Sequence, residues 1–255
     1  MTSSDLSIMI GVARRQAIRT FTTPQLVIPL VLFPLLLFTA FVGSASAIAK
    51  NPNFDYYDYT AFEFVYVLMQ SAASAGVATG IAVAQDFESG FARRMLVATP
   101  RRSVLLGGIV LAGIIQQLWL AAVLLVVALA AGMSIHGSAI EVIGMFGLAL
   151  LFNIAGTLYA SGVAFRAQTT QVGPALQLPI LLPLFFAPVY APRKLLTHWL
   201  HEVANWNPVT PLLEAGRGLL AGAPVSVAIA FGIVGGAGVL LAVFAFTGLR
   251  RVERA

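Results

Sequence analysis

Cysteine is absent from the 255-residue chain, which excludes disulfides and thiolate chemistry. Charge is scarce too: 10% of the residues are Asp, Glu, Lys or Arg and 59% are hydrophobic, whereas a soluble domain carries about a quarter charged residues. A water-soluble surface cannot be built from that. The few charges form short clusters between long runs of Leu, Val, Ala, Ile, Phe and Gly, so those runs must face lipid or one another. The net charge of +5 does not point to nucleic acid, because the basic residues sit at the ends of apolar runs and form no continuous patch. Gly-x-x-x-x-Gly-Lys-Ser/Thr is also missing, so the chain does not cradle nucleotide phosphate in that way.

What is present is span-length hydrophobicity. A helix needs about 20 apolar residues to cross about 30 Å of hydrocarbon, and six stretches qualify: 26–48, 64–85, 104–132, 142–165, 172–190 and 225–249. Their length and lack of alternation exclude barrel strands. The expected fold is therefore an all-α membrane protein, one transmembrane domain over 1–255 with six transmembrane helices. An even number puts both termini on one side, and basic residues choose it. With the termini cytoplasmic, Arg14, Arg15, Arg19, Arg93, Arg94, Arg101, Arg102, Arg166, Arg250, Arg251 and Arg254 lie inside, against Lys50, Arg193, Lys194 and Arg217 outside. The expected location is the cell (inner or plasma) membrane. Arg19, the apolar run and Ala45-Ser46-Ala47 also resemble a cleaved signal peptide, but 26–42 is longer than the usual core of about 7 to 15 residues.

Three segments are not simple spans. In 4–22, Leu6, Ile10, Ala13, Ala17 and Phe21 recur at steps of three or four with Arg14, Arg15 and Arg19 off the stripe. This reads as an amphipathic helix on the inner membrane surface, or equally as a basic juxtamembrane anchor. Segment 86–98 starts acidic (Asp86, Glu88) and continues basic (Arg93, Arg94), the polarity of a short helix that Pro100 stops. Phe87, Phe91, Met95 and Leu96 give it an apolar side for a cytoplasmic partner; a solvated loop is the competing reading. Segment 192–222 reads as two short extracellular interfacial or re-entrant helices broken at Asn207-Pro208, with Trp199 and Trp206 suited to the headgroup belt. Within it Glu214 and Arg217 share a helix face and can pair. His198, His201 and Glu202 raise a metal site, but no catalytic spacing such as His-Glu-x-x-His is present, and no metal is expected.

Gly76-x-x-x-Gly80 and Gly232-x-x-x-Gly236 offer surfaces for close helix approach. Pro174, Pro179, Pro183 and Pro188 favour kinks in the fifth span. Gln70, Gln116, Asn153, Tyr159 and Gln177 are candidates for a translocation surface, with interhelix hydrogen bonding as the alternative. No acidic or basic residue falls well inside the six spans as drawn, so ion-coupled transport lacks its usual mid-membrane group. A pump of this kind takes its energy from another subunit.

Two stretches carry a resemblance to the permease subunits of type-2 ABC exporters. Asp86, Glu88, Gly90, Leu96, Thr99-Pro100 and Gly107 resemble that family's acidic-x-acidic-x-Gly coupling segment. Asn207-Pro208, Pro211, Glu214, Arg217 and Gly222 are similar to its extracellular Asn-Pro…Arg…Gly element before the last span. Phe91 and Arg93-Arg94 depart from the commoner pattern and look closer to the daunorubicin-resistance branch than to the polysaccharide branch. The resemblance implies a permease that pairs with a second permease and with ATPase subunits, which would hold the ATP and Mg, while this chain binds no cofactor. It also implies 86–98 as a coupling helix and an amphipathic drug or lipid as cargo. A membrane scaffold or assembly subunit without transport is the runner-up.

Overall fold

The computed structural model describes residues 3–98 and 102–252. Pro100, with Thr99 and Arg101, lies outside the described residues, as does Arg254. The helices are α1 Ser3–Thr22, α2 Pro24–Ala45, α3 Tyr59–Glu88, α4 Phe91–Ala98, α5 Arg102–Ala130, α6 Ala139–Ala167, α7 Gly173–Phe185, α8 His198–Trp206, α9 Thr210–Ala221 and α10 Val227–Val252. No strand occurs among the described residues. Among the described residues, five helical segments are long and apolar enough to cross a membrane: Val27–Lys50, Tyr59–Glu88, Ser103–Ala130, Ala139–Ala167 and Val227–Val252. The chain is a multi-pass helical membrane protein.

The fifth expected span, 172–190, is not one long helix. A 3-10 turn at Thr170–Val172 leads into α7, whose 13 residues end at Phe185. They rise only about 20 Å, short of the hydrocarbon thickness of about 30 Å. Proline is the reason: Pro179 and Pro183 remove donors within α7, and Pro188 cannot continue it. The segment's ends nonetheless touch both ends of α3. Thr170 N donates to Glu88 Oε1 at 2.8 Å, and the Tyr190 carbonyl lies 3.1 Å from the Tyr59 hydroxyl. Segment 170–190 thus runs antiparallel to α3 along its whole length, part helix and part irregular chain.

α3 is the core helix, buried along most of its length by α6, α5, α2, α7 and α9. Its packing on α6 requires glycine: a Cβ at Gly76 would lie 2.8 Å from Thr157 N, and one at Gly80 would overlap Ala160. Gly232 and Gly236 on α10 have nothing near them, so the second small-residue surface is unused among the described residues. α1 packs on α5, where Val12 and Met9 press on Gly108. This divides the expected apolar stripe. Ala13 and Ala17 are buried with Gln16 and Thr20, whereas Leu6, Ile10 and Phe21 are exposed together with Ile18.

The two ends of α3 differ in chemistry. Around Glu88 lie Arg15, Arg19 and Arg93, engaged with Asp86, Gln85 and Gln168. Around Tyr59 lie Phe54, Phe62 and Tyr190. The first is here the arginine-rich end and the second the aromatic end.

Candidate functional site

At the arginine-rich end α3 runs three residues past the expected boundary, so Asp86, Phe87 and Glu88 form its last turn rather than the start of a connector helix. Ser89 caps it, and the chain turns at Gly90, whose φ of +71° favours glycine, before α4 begins at Phe91. The expected single helix over 86–98 is therefore an elbow between two helices. Its acids sit at a helix C-terminus, where the dipole opposes negative charge. Partners distant in sequence offset this. Asp86 takes two hydrogen bonds from Arg15, at 2.8 and 2.9 Å, and one from Arg19 at 3.0 Å. The bonded carboxylate raises the pKa of Arg15 above its ordinary value. Glu88 accepts from Thr169 Oγ1 at 2.9 Å and Thr170 N at 2.8 Å, fastening the chain entering α7 to the end of α3.

The apolar residues expected to meet a partner point inward. Phe87 is buried against Phe165, with ring centroids 6.1 Å apart, and the Arg15 guanidinium lies 3.7 Å from the centre of the Phe91 ring. Met95 and Leu96 line a cavity shared with α1 and α5. The surface left to a partner is polar: Glu88, Ser89, Arg93 and Arg94 are exposed.

The broken backbone of α7 is repaired by side chains. Pro179 has no N–H, so the Ala175 carbonyl lacks its helical donor, and Tyr159 Oη donates to it at 2.8 Å. Where α7 ends, Ala187 N turns to Leu184, and the Pro183 carbonyl instead accepts from Asn207 Nδ2 at 2.5 Å. The Asn207 Oδ1 accepts from Val209 N at 2.9 Å, holding the Asn207-Pro208 turn between α8 and α9. The turn faces α3 across a cavity whose wall includes both Pro208 and Ala73. Farther toward the aromatic end, Arg217 donates to the carbonyls of Phe62 (3.1 Å), Pro188 (2.7 Å) and Val189 (3.1 Å). It is 2% exposed and sits 3.3 Å above the Phe62 ring, so its hydrogen bonds go to carbonyl oxygens and its face to a π-system.

Arg217 therefore does not pair with Glu214. Glu214 receives two bonds from Arg193, at 2.5 and 2.6 Å, because its side chain leaves α9 toward the 3-10 turn at Arg193–Leu195. Pro211 occupies the first turn of α9, where its missing N–H costs nothing, and Gly222 ends the helix at φ +72°. Glu63, just outside the second span expected from hydropathy, lies on α3, fully buried, and its Oε1 accepts from Tyr59 Oη at 2.8 Å. Its signal was local: a carboxylate four residues after a tyrosine at the head of an apolar run.

Of the residues expected to line a path, one groove has only Gln177 in its wall, with Gln70 and Gln116 buried behind it. It lies between α2, α3 and α7, has a volume of about 340 Å³, and sets Thr20, Ser74, Gln85 and Gln177 among Leu30, Phe33, Val77 and Ile81. Gln177 lines it directly, Gln70 donates to its wall residue Ser74 at 3.0 Å, and Gln116 donates to Thr20. Asn153 is elsewhere, bonded to the Ala72 carbonyl at 2.9 Å between α6 and α3. Tyr159 lines a separate apolar cavity of about 240 Å³ with Ile180, Pro208 and Ile233.

A bundle of long apolar helices, with a polar-surfaced elbow at its arginine-rich end, is a multi-pass membrane domain. The chain belongs to the ABC-2 family of transporter proteins, whose family model matches residues 39–247. It is thus a permease subunit of an ABC transporter, and permeases of this family work with ATPase partner subunits. No curated protein sequence matches the chain.

Proposed function

We propose that this permease exports an amphipathic molecule, a drug or a lipid, from the cytoplasm or inner leaflet, driven by ATPase subunits that grip the elbow Glu88–Arg94. The single observation that carries this reading is the elbow's division of labour. Its apolar residues and Asp86 tie it to α1, α3 and α10, while Glu88, Ser89, Arg93 and Arg94 stay exposed. A push on that polar surface would be delivered to α3, to α1 through Asp86, and to α7 through Glu88. Only a partner that binds one conformation better than another can drive the cycle.

In this reading the arginine-rich end and both termini face the cytoplasm, in accord with the excess of arginine there. The chain crosses six times, with 170–190 as the fifth crossing; its contacts with both ends of α3 support that count. The groove between α2, α3 and α7 receives cargo, since apolar walls with a few amides suit an amphipathic guest. A second permease covers the α2 and α7 faces beside it. Gln177 supports this, being an exposed amide on a helix face otherwise made of Leu178, Leu182 and Phe185. The drug-resistance branch remains the closer of the two suggested by Phe91, Arg93 and Arg94.

The test is reconstitution with the cognate ATPase in vesicles. Wild type is expected to show cargo-stimulated ATP hydrolysis and export, and the double substitution of Arg93 and Arg94 by Glu to insert normally but export less than a tenth as much. Full export by that variant would remove the elbow from the mechanism; a wild type that inserts and binds ATPase without moving any cargo would favour the scaffold reading.

A further inference from the structure

A cavity of about 260 Å³ lies between α1, α4 and α5 at the arginine-rich end, walled by Val12, Met95, Leu96, Leu105, Ile109 and Phe165. Among the described residues its only charged wall groups are Arg15 and Asp86. Apart from Arg15, Gln16 and Asp86 at one side, the wall is hydrocarbon and offers water few partners, so the apolar part suits hydrocarbon better than water. The rim is cationic. Arg15 lines the cavity and Arg19, one turn on, lies beside it; among the described residues both pair with the same carboxylate, Asp86, so positive charge is in excess there. Glu88 is turned away to Thr169 and Thr170, Asp5 sits nearly three turns earlier on α1, and Arg94 lies beside Gly90. Outside the cavity, α1 exposes Leu6, Ile10 and Ile18 along one side, with Arg14 also exposed. That arrangement places the helix at the boundary between hydrocarbon and headgroups, so the phase that wets α1 can also supply the occupant.

We propose that this cavity binds one anionic phospholipid, with an acyl chain between α1 and α4 and the phosphate beside Arg15 and Arg19. The lipid would bridge the amphipathic helix and the elbow, so the leaflet's anionic content would set how firmly the two move together. Binding of the lipid does not require export, and its test reads no transport.

The purified full-length chain in neutral detergent is probed by native mass spectrometry with phosphatidylglycerol, with phosphatidylcholine of the same acyl chains, or with inorganic phosphate. One phosphatidylglycerol per chain is expected to remain bound, preferred over phosphatidylcholine about fivefold for each cation engaged. Gly11 lines the cavity, and a Cβ added there would meet no atom within 4 Å, so Gly11→Phe can fill the cavity without a backbone clash. It should abolish retention, whereas Gly43→Phe on α2, also in open space, should not. Equal retention of the two lipids, displacement of phosphatidylglycerol by phosphate alone, or full retention by Gly11→Phe would each overturn the proposal.

Discussion

Arg217 and Phe62 are joined twice: the guanidinium lies 3.3 Å from the centre of the Phe62 ring, and its Nε donates to the Phe62 carbonyl at 3.1 Å. The same group reaches the Pro188 and Val189 carbonyls, so one side chain on α9 holds the start of α3 and the frayed end of the α7 segment. Segment 170–190 is thus held by side chains where its own helix bonds are missing.

Arg217→Ala strips three buried carbonyls of a charged donor and should cost about 3 kcal/mol, given about 1 to 3 kcal/mol for an unsatisfied buried group. Thermal unfolding of the purified protein checks this. Arg217→Lys should recover part of the loss, because an ammonium keeps the charge but not the planar fork. A melting temperature unchanged in the Ala variant contradicts the clamp.

Tyr159→Phe removes the donor to the Ala175 carbonyl and should cost about 1 kcal/mol, a drop of about 2 to 4 °C in melting temperature. Because Tyr159 also lines an apolar cavity, a path role predicts the reverse pattern: unchanged melting with altered cargo preference. Measuring both on one variant separates the two.

Gly80→Leu should prevent assembly of a monodisperse protein, since even a Cβ there overlaps Ala160 at the α3–α6 contact. Gly236→Leu should be tolerated, having nothing within reach. Size-exclusion profiles of the two variants give the answer, and equal profiles would mean that the α3–α6 packing is misplaced.

Gly90→Ala places a Cβ at a φ of +71° and should cost about 1 to 2 kcal/mol. Membrane insertion should persist while ATP-coupled export falls. Gly90→Asn should be milder, because asparagine adopts this conformation more readily. Export equal to wild type in Gly90→Ala would show that the elbow's angle does not matter.

The helices around α3, α5, α6 and α10 were legible because hydrocarbon thickness sets a minimum run length that hydropathy counts directly. α7 was not, because hydropathy weighs Pro179, Pro183 and Pro188 by composition while the helix depends on the donors they lack. The elbow was hidden for a related reason. The order Asp86, Glu88, Arg93, Arg94 matches one short helix dipole, but the partners that let the acids end α3 lie far away in sequence: Arg15 and Arg19 on α1, Thr169 and Thr170 before α7. Polar residues in apolar runs were equally visible and equally ambiguous. Asn153 and Tyr159 serve backbone carbonyls, whereas Gln177 opens to a groove, and only the fold distinguishes them.

The lack of native cysteine allows a direct test of the claim that an ATPase grips the elbow. Ser89 is exposed at its apex, and Ser89→Cys gives the chain a single thiol. Labelling with a membrane-impermeant maleimide should occur only from the cytoplasmic side and should slow at least tenfold when the ATPase is bound. Labelling from the opposite side, or at one rate with and without the ATPase, would contradict the account.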